Sequence, residues 1–220
     1  TDAGFSIVTY TSNNSAGATV GHGLGVAPQM VIIKKRNVAE RWFVWHTGDS
    51  TKYMYLNETF TGQANLDDRF GNNTTVTLPS STVLTLGTHN DVNGVFGSTY
   101  VSYCFAEVEG YSKFGSYTGN SSADGPFVAL NFSPAFIMVK SITTTFNWVM
   151  FDNKRDTFNF LERRLHANDS IAEVESNLQD FDFLSNGFKP RRSAGDWNAT
   201  GSTYIYMAFA ESPFKYANAR

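Results

Sequence analysis

Two stretches of this chain are nearly identical. Residues 97–107 read GSTYVSYCFAE, and residues 201–211 read GSTYIYMAFAE. Further upstream, Trp42 and Trp148 lie 106 residues apart within similar surroundings. A repeat of about a hundred residues is much longer than the repeating units of a solenoid, so it indicates a duplicated domain.

The repeat divides the chain near its middle. The sequence predicts two similar domains in tandem, residues 1–109 and 110–220. Features present in both copies are expected to serve the fold. A feature present in one copy alone is where a specific activity could reside.

Composition and local pattern predict strands. Hydrophobic residues make up 41% and charged residues 17%, which is typical of a packed globular protein, and 19 Phe, 10 Tyr and 18 Gly favour strands and turns. In residues 97–107 the side chains alternate, and both faces are expected to be buried: Val101, Tyr103 and Phe105 face a core of large residues, and the small residues opposite permit close approach by a second sheet or lobe. We therefore predict an all-β protein of two antiparallel β-sandwich lobes, similar to jelly rolls, with one short helix allowed near 170–177.

Charge, hydropathy and cysteine content exclude several classes of partner. The net charge of −3 leaves no electrostatic footprint for nucleic acid. No apolar run is long enough for a membrane helix, so we expect no membrane insertion. Cys104 is the single cysteine, which excludes an internal disulfide, and its repeat counterpart is Ala208, so we expect it to pack as a small apolar residue.

Several segments together resemble a known family. They are GFSIVTYT, AGATVGHGLGVAPQMVIIKKR, YVSYCFAEVEGYSKFGSYTGN, FDFLSNGF and YIYMAFAESPFKYANAR. They resemble a carboxy-terminal domain of tail-fibre and other virion structural proteins of tailed bacteriophages, especially phages of marine bacteria. The resemblance covers nearly the whole chain, with slight departures at Ser102 and Ser212. It implies a virion location on the outside of a tail or fibre, contact with the host surface, and a trimeric fibre, but it brings no catalytic residues.

The sequence contains no clear pattern of catalytic or metal-binding residues. Four histidines are scattered without the spacing of a metal site, and no pair of acids stands out, so we expect no enzyme, no cofactor and no metal. A calcium site in the second copy stays an alternative, although its aspartates do not follow a calcium-loop spacing. The repeated Glu107 and Glu211 are expected to be partly buried and to pair with the repeated Lys34 and Lys140 or to bond to loop backbone.

Aromatic residues are the remaining candidates for ligand binding. Trp42 and Trp148 recur in both copies, which indicates a core role. Trp197 lies in a turn of the second copy alone, between Asp196 and Asn198. We predict that these three residues form an exposed binding site in which the ring stacks on a sugar. Exposed aromatic residues such as Trp197 or Tyr216 could equally serve contacts between subunits.

These observations lead to one functional expectation and two alternatives. We expect a virion tail-fibre or receptor-binding module that contacts the host surface, with a glycan as its ligand. The first alternative is a structural capsid or tail decoration module that binds only other virion proteins. The second is a glycan depolymerase, disfavoured by the lack of an acid pair. Because the chain starts at Thr1 without Met, we expect it to be a trimmed or carboxy-terminal part of a longer protein.

Overall fold

A computed structural model describes residues 4–211 of the chain. The chain divides into two compact units, Thr1–Glu58 with Gly62–Glu107, and Thr59–Thr61 with Val108–Arg220. The division after Glu107 lies two residues before the predicted boundary. Within the described residues there is no α-helix, and hence no helix long and apolar enough to cross a membrane.

The first unit contains seven strands and one short 3₁₀ turn, Thr47–Asp49. Its strands are β1 (Phe5–Thr11), β2 (Ala18–Gly21), β3 (Met30–Lys35), β4 (Trp42–His46), β5 (Tyr53–Tyr55), β6 (Val83–Leu86) and β7 (Thr99–Phe105). Five form an antiparallel sheet in the order β1-β7-β3-β4-β5, and β2 pairs with β6 in a second sheet. The core lies between them, since Val31 and Phe43 of the large sheet and Leu84 and Leu86 of β6 belong to one buried cluster.

The second unit contains nine strands. They are β8 (Ser112–Thr118), β9 (Val128–Ala129), β10 (Pro134–Ser141), β11 (Val149–Asp152), β12 (Arg163–His166), β13 (Val174–Glu175), β14 (Phe181–Leu184), β15 (Gly187–Pro190) and β16 (Thr203–Ala210). Six form an antiparallel sheet in the order β8-β16-β10-β11-β12-β13, and β14, β15 and β9 form a smaller sheet. Ile137 and Phe151 of the large sheet pack with Phe181 and Phe188 of the small one in a buried cluster.

The two large sheets share their strand order and register. Val31 pairs with Cys104 and with Trp45 in the first unit, and Ile137 pairs with Ala208 and with Phe151 in the second. Equivalent sequence positions therefore occupy equivalent places in the two sheets. The all-β fold of two antiparallel sandwiches is confirmed, and their origin by duplication stays a prediction from the repeated sequence.

Two local expectations are wrong. On β7 the buried side chains are Tyr100, Ser102 and Cys104, whereas the larger residues between them are only half-buried. The face that carries Ser102 and Cys104 is the one that packs in the core, since Tyr100 and Cys104 belong to the same buried cluster as Val31 and Phe43. The helix allowed near 170–177 is also absent, because Val174 and Glu175 pair with Arg164 and Arg163 as strand β13, and this long-range pairing overrides the local helical spacing.

Candidate functional site

The predicted exposed Trp197 is buried. Its side chain is 1% exposed, and the ring packs against Phe151 and Phe181 at centroid distances of 5.8 and 5.7 Å. The guanidinium groups of Arg164 and Arg192 lie over the same ring. The expectation of an exposed binding ring is wrong, because the turn folds inward over the sandwich core instead of projecting into solvent.

The neighbouring Asn198 stabilises the turn through side-chain hydrogen bonds. It is 0% exposed, its Nδ2 donates to the carbonyl oxygens of Ser122 and Arg192, and its Oδ1 accepts from the backbone N–H of Asn120. In the first unit, Asn93 accepts from the N–H of Asn13 in the same way. A bond made in both units serves the scaffold, so Asn198 is not free to hold a ligand.

The third predicted residue, Asp196, lies half-buried in a charged neighbourhood. Burial raises the pKa of its carboxyl above the usual value, and His166, Arg164 and Lys140 partly oppose this shift. The structure thus brings the three predicted residues together, but two of them are core residues. Tyr216, named as a candidate for subunit contacts, lies outside the described residues.

The expected pairing of repeated Lys and Glu is also wrong. Glu107 is exposed, and Glu211 forms an ion pair with Lys154 at 2.5 Å. Lys140 donates instead to the carbonyl oxygens of Phe146 and Thr59, both in its own unit. The repeated lysine therefore holds the loop that follows its own strand.

A buried polar cluster in the first unit was not anticipated from the sequence. Asp91 Oδ2 accepts from Tyr55 Oη at 2.8 Å and from Arg69 Nε at 3.3 Å, and it lies 3.0 Å from His89 Nδ1. Burial alone would raise the pKa of Asp91, but His89, Tyr55 and Arg69 together hold it below its usual value. Arg69 Nη2 lies 3.1 Å from His89 Nε2, so both ring nitrogens of His89 are engaged and the four side chains form one connected network.

A small open cavity in the second unit has a different character. Its volume is about 200 Å³, and it lies where β10 begins, between the β11–β12 loop and strand β14. Its lining residues are Ser133, Pro134, Asn153, Asp156, Thr157, Phe158, Asn159, Leu161 and Phe183. The register of β10 against β16 shifts between Pro134 and Phe136, and such bulges are frequent beside functional sites.

The loop that builds this cavity is longer in the second unit than in the first. The side chain of Asn57 accepts from the N–H of Trp42, and the side chain of Asn168 accepts from the N–H of Trp148. These equivalent bonds span 15 residues in the first unit and 20 in the second. The segment between the two bonds is therefore five residues longer in the second unit, and the β11–β12 loop that lines the cavity lies within it.

Side chains hold this loop in place. Asp156 Oδ2 accepts from the N–H groups of Glu162 and Arg163, and its Oδ1 accepts from Arg163 Nη1. The amide of Asn159 pairs with the backbone of Phe183, donating to its carbonyl oxygen at 2.7 Å and accepting from its N–H at 2.9 Å. The loop is therefore attached to both β12 and β14.

The cavity combines an exposed ring with polar groups. Phe158 is 85% exposed, the largest value among the exposed large hydrophobic residues of the described chain. Asn153 Oδ1 is buried and has no hydrogen-bond partner within the described residues. Small-ligand sites typically join aromatic contact surface with a few polar groups that fix orientation. At about 200 Å³ the cavity is below the roughly 300–1,000 Å³ used by drug-sized ligands and suits a group the size of one sugar ring.

Neither hydrolysis nor metal binding is indicated at this cavity. Asp156 is the one carboxylate among its lining residues, and glycoside hydrolysis generally uses two. Over residues 4–211, no group of three or more His, Cys, Asp or Glu side chains is placed to hold a metal ion. The arrangement can bind and orient a small polar ligand.

The sequence contains a signal for this site that residue types alone did not reveal. The matching segments keep an offset of 106 from Pro28 and Pro134 to Trp42 and Trp148, whereas Asn57 and Asn168 differ by 111. This increase of five locates an insertion in the second copy between Trp148 and Asn168, the segment that contains the β11–β12 loop.

Comparison with known proteins gives a family without an assigned activity. A family model described as a domain of unknown function (DUF7483) matches residues 1–213. No curated protein and no solved structure matches the chain.

Proposed function

This chain belongs to the DUF7483 family, and we propose that it is a non-enzymatic carbohydrate-binding module of a phage virion that contacts the host surface. Its place on a tail or fibre rests on the resemblance of the repeated segments to virion structural proteins. The choice of a glycan as ligand rests on the cavity beside Phe158.

The exposed ring of Phe158 is the observation that carries this proposal. An apolar ring left 85% exposed in water gains free energy when a ligand covers it. A sugar presents an apolar C–H face that can cover such a ring, and hydroxyl groups that can bond to the polar lining. Because the loop is already attached through Asp156 and Asn159, little conformational entropy is lost when a ligand binds.

The test is Phe158→Ala, with Phe96→Ala as the matched control. Phe96 is 79% exposed and belongs to the other unit. We expect Phe158→Ala to weaken binding to a glycan array and to host cells by about tenfold, with an unchanged melting temperature, and Phe96→Ala to leave both unchanged. Equal binding by both variants and the native chain would contradict the proposal.

One observation favours the alternative of a structural module that binds only virion proteins. Strand β1 lies at the edge of its sheet, and Ile7 on that strand is 58% exposed. An edge strand offers free backbone groups to another chain, and a trimeric fibre could use it. Ile7→Lys is expected to reduce the oligomeric mass, measured by light scattering, if assembly uses this edge. Loss of assembly without any glycan binding by the native chain would favour the structural role.

A further inference from the structure

The lining of the Phe158 cavity also indicates which sugars it can accept. The inference rests on the proposed glycan-binding function and concerns the same nine lining residues.

Acceptor atoms are left over in the lining. Asn153 Oδ1 is buried without a partner within the described residues. Asp156 receives three donors, and a carboxylate has about four lone-pair sites, so one further donor can be accommodated. A buried acceptor without a donor costs free energy, and a ligand hydroxyl that the Asn153 side chain turns to meet removes this cost.

The charge at the cavity is negative. The lining contains the carboxylate of Asp156 and no lysine, arginine or histidine. Asp156 is itself paired with Arg163, but the ion pairs beside the cavity join two arginines, Arg155 and Arg163, to four acids, Asp152, Asp156, Glu173 and Glu175. A carboxylate or sulfate on the ligand would therefore approach an excess of negative charge.

We propose that the cavity selects a neutral, hydroxyl-rich sugar and discriminates against uronic acids and sulfated sugars. The ring of Phe158 covers the apolar face of the sugar, and the hydroxyl groups donate to Asn153 and Asp156. Two unit charges about 4 Å apart in water repel by about 1 kcal/mol, which corresponds to about a fivefold loss of affinity. A partly enclosed site increases this penalty.

The experiment compares matched ligands that differ only at C6. Methyl glycosides of glucose, galactose and mannose are titrated against the full chain by ligand-observed NMR, beside the methyl glycosides of the corresponding uronic acids. We expect at least one neutral glycoside to bind, and its uronate to bind about fivefold or more weakly. Thr157→Lys adds a cation at the exposed rim of the cavity and is expected to remove or reverse this preference.

Thr77→Lys is the matched control, since Thr77 is exposed and lies in the other unit. It adds the same charge and is expected to leave the preference unchanged. Equal or tighter binding of the uronates by the native chain would overturn the selectivity and leave glycan binding intact. If no sugar of either class binds, here or on a glycan array, the proposed function fails and the selectivity with it.

Discussion

The hydroxyl of Tyr117 donates to the carbonyl oxygen of Trp197 at a distance of 2.8 Å. In the first unit Tyr10 donates to the carbonyl oxygen of Val92 at 2.6 Å. Both tyrosines are buried deeply enough for desolvation to raise the pKa of each phenol well above its usual value. The turn that carries Trp197 is therefore part of the scaffold common to both units, and the indole fills the space behind it.

This position makes Trp197 a determinant of stability. Trp197→Ala is expected to lower the free energy of unfolding by about 3–5 kcal/mol, because a fully buried indole leaves a cavity that the sandwich cannot close. Urea unfolding of the variant and of the native chain measures this loss of free energy. The folded fraction of the variant is expected to bind glycan with the affinity of the native chain. A loss of binding at native stability would instead show that Trp197 contacts the ligand.

Replacing Asn93 or Asn198, the asparagines that stabilise the equivalent turns, is expected to lower stability by similar amounts in the two units. Asn93→Ala and Asn198→Ala each remove an acceptor for a backbone N–H of a neighbouring loop. Each is expected to cost about 1–3 kcal/mol, since buried backbone groups lose their partners. Thermal unfolding measures both variants, and a loss in one unit alone would contradict the equivalence of the two turns.

Buried Lys140 predicts a dependence of stability on pH. Burial lowers its pKa from 10.5 to about 8, with Asp196 opposing the shift. Between pH 8 and 10.5 the unfolded chain holds more protons at this group than the folded chain, so its contribution to the free energy of unfolding increases with pH over this window and is constant below it. The full change is about 3 kcal/mol.

Lys140→Met isolates this contribution, because other titrating groups are common to both proteins. The native chain is expected to gain stability relative to Lys140→Met between pH 7.5 and pH 10, measured by urea unfolding at both values. Lys34→Met, at the equivalent and less buried position, is the matched comparison. A constant difference between native chain and Lys140→Met across this range would show that the lysine is not desolvated.

The attachment of the β11–β12 loop can be tested at Asn159. Asn159→Ala removes both bonds to the backbone of Phe183, and Asn159→Asp keeps the acceptor while losing the donor. We expect glycan binding to weaken by about three- to tenfold in Asn159→Ala and by less in Asn159→Asp, because the loop must then be ordered on binding. Binding measured beside a melting curve checks this, and native affinity in both variants would mean that the loop needs no such attachment.

Much of the fold could be predicted because its signals are local or repeated. The alternation along β7 and the continuous apolar run of β3 identify strands, and the matching positions of Val31 and Ile137 anticipate their equivalent pairing. The burial of Cys104 was also predicted, from Ala208 at the matching position. The longer spacing between Trp148 and Asn168 also indicates a longer loop in the second copy. The spacing does not show which side chains of that loop line a cavity.

What the sequence by itself determined is the repeat, the class of secondary structure and the residues common to both copies. Only the tertiary structure decided which face of β7 closes on the core, that Trp197 turns inward, and that Phe158 stays outside beside a cavity. The physical reason is that strand formation follows from the alternation of neighbouring side chains, whereas burial depends on volumes supplied by residues distant in the chain. Trp197 and Phe158 are both aromatic residues with polar neighbours in the sequence. Trp197 is buried because Phe151 and Phe181 pack against it, whereas Phe158 stays exposed.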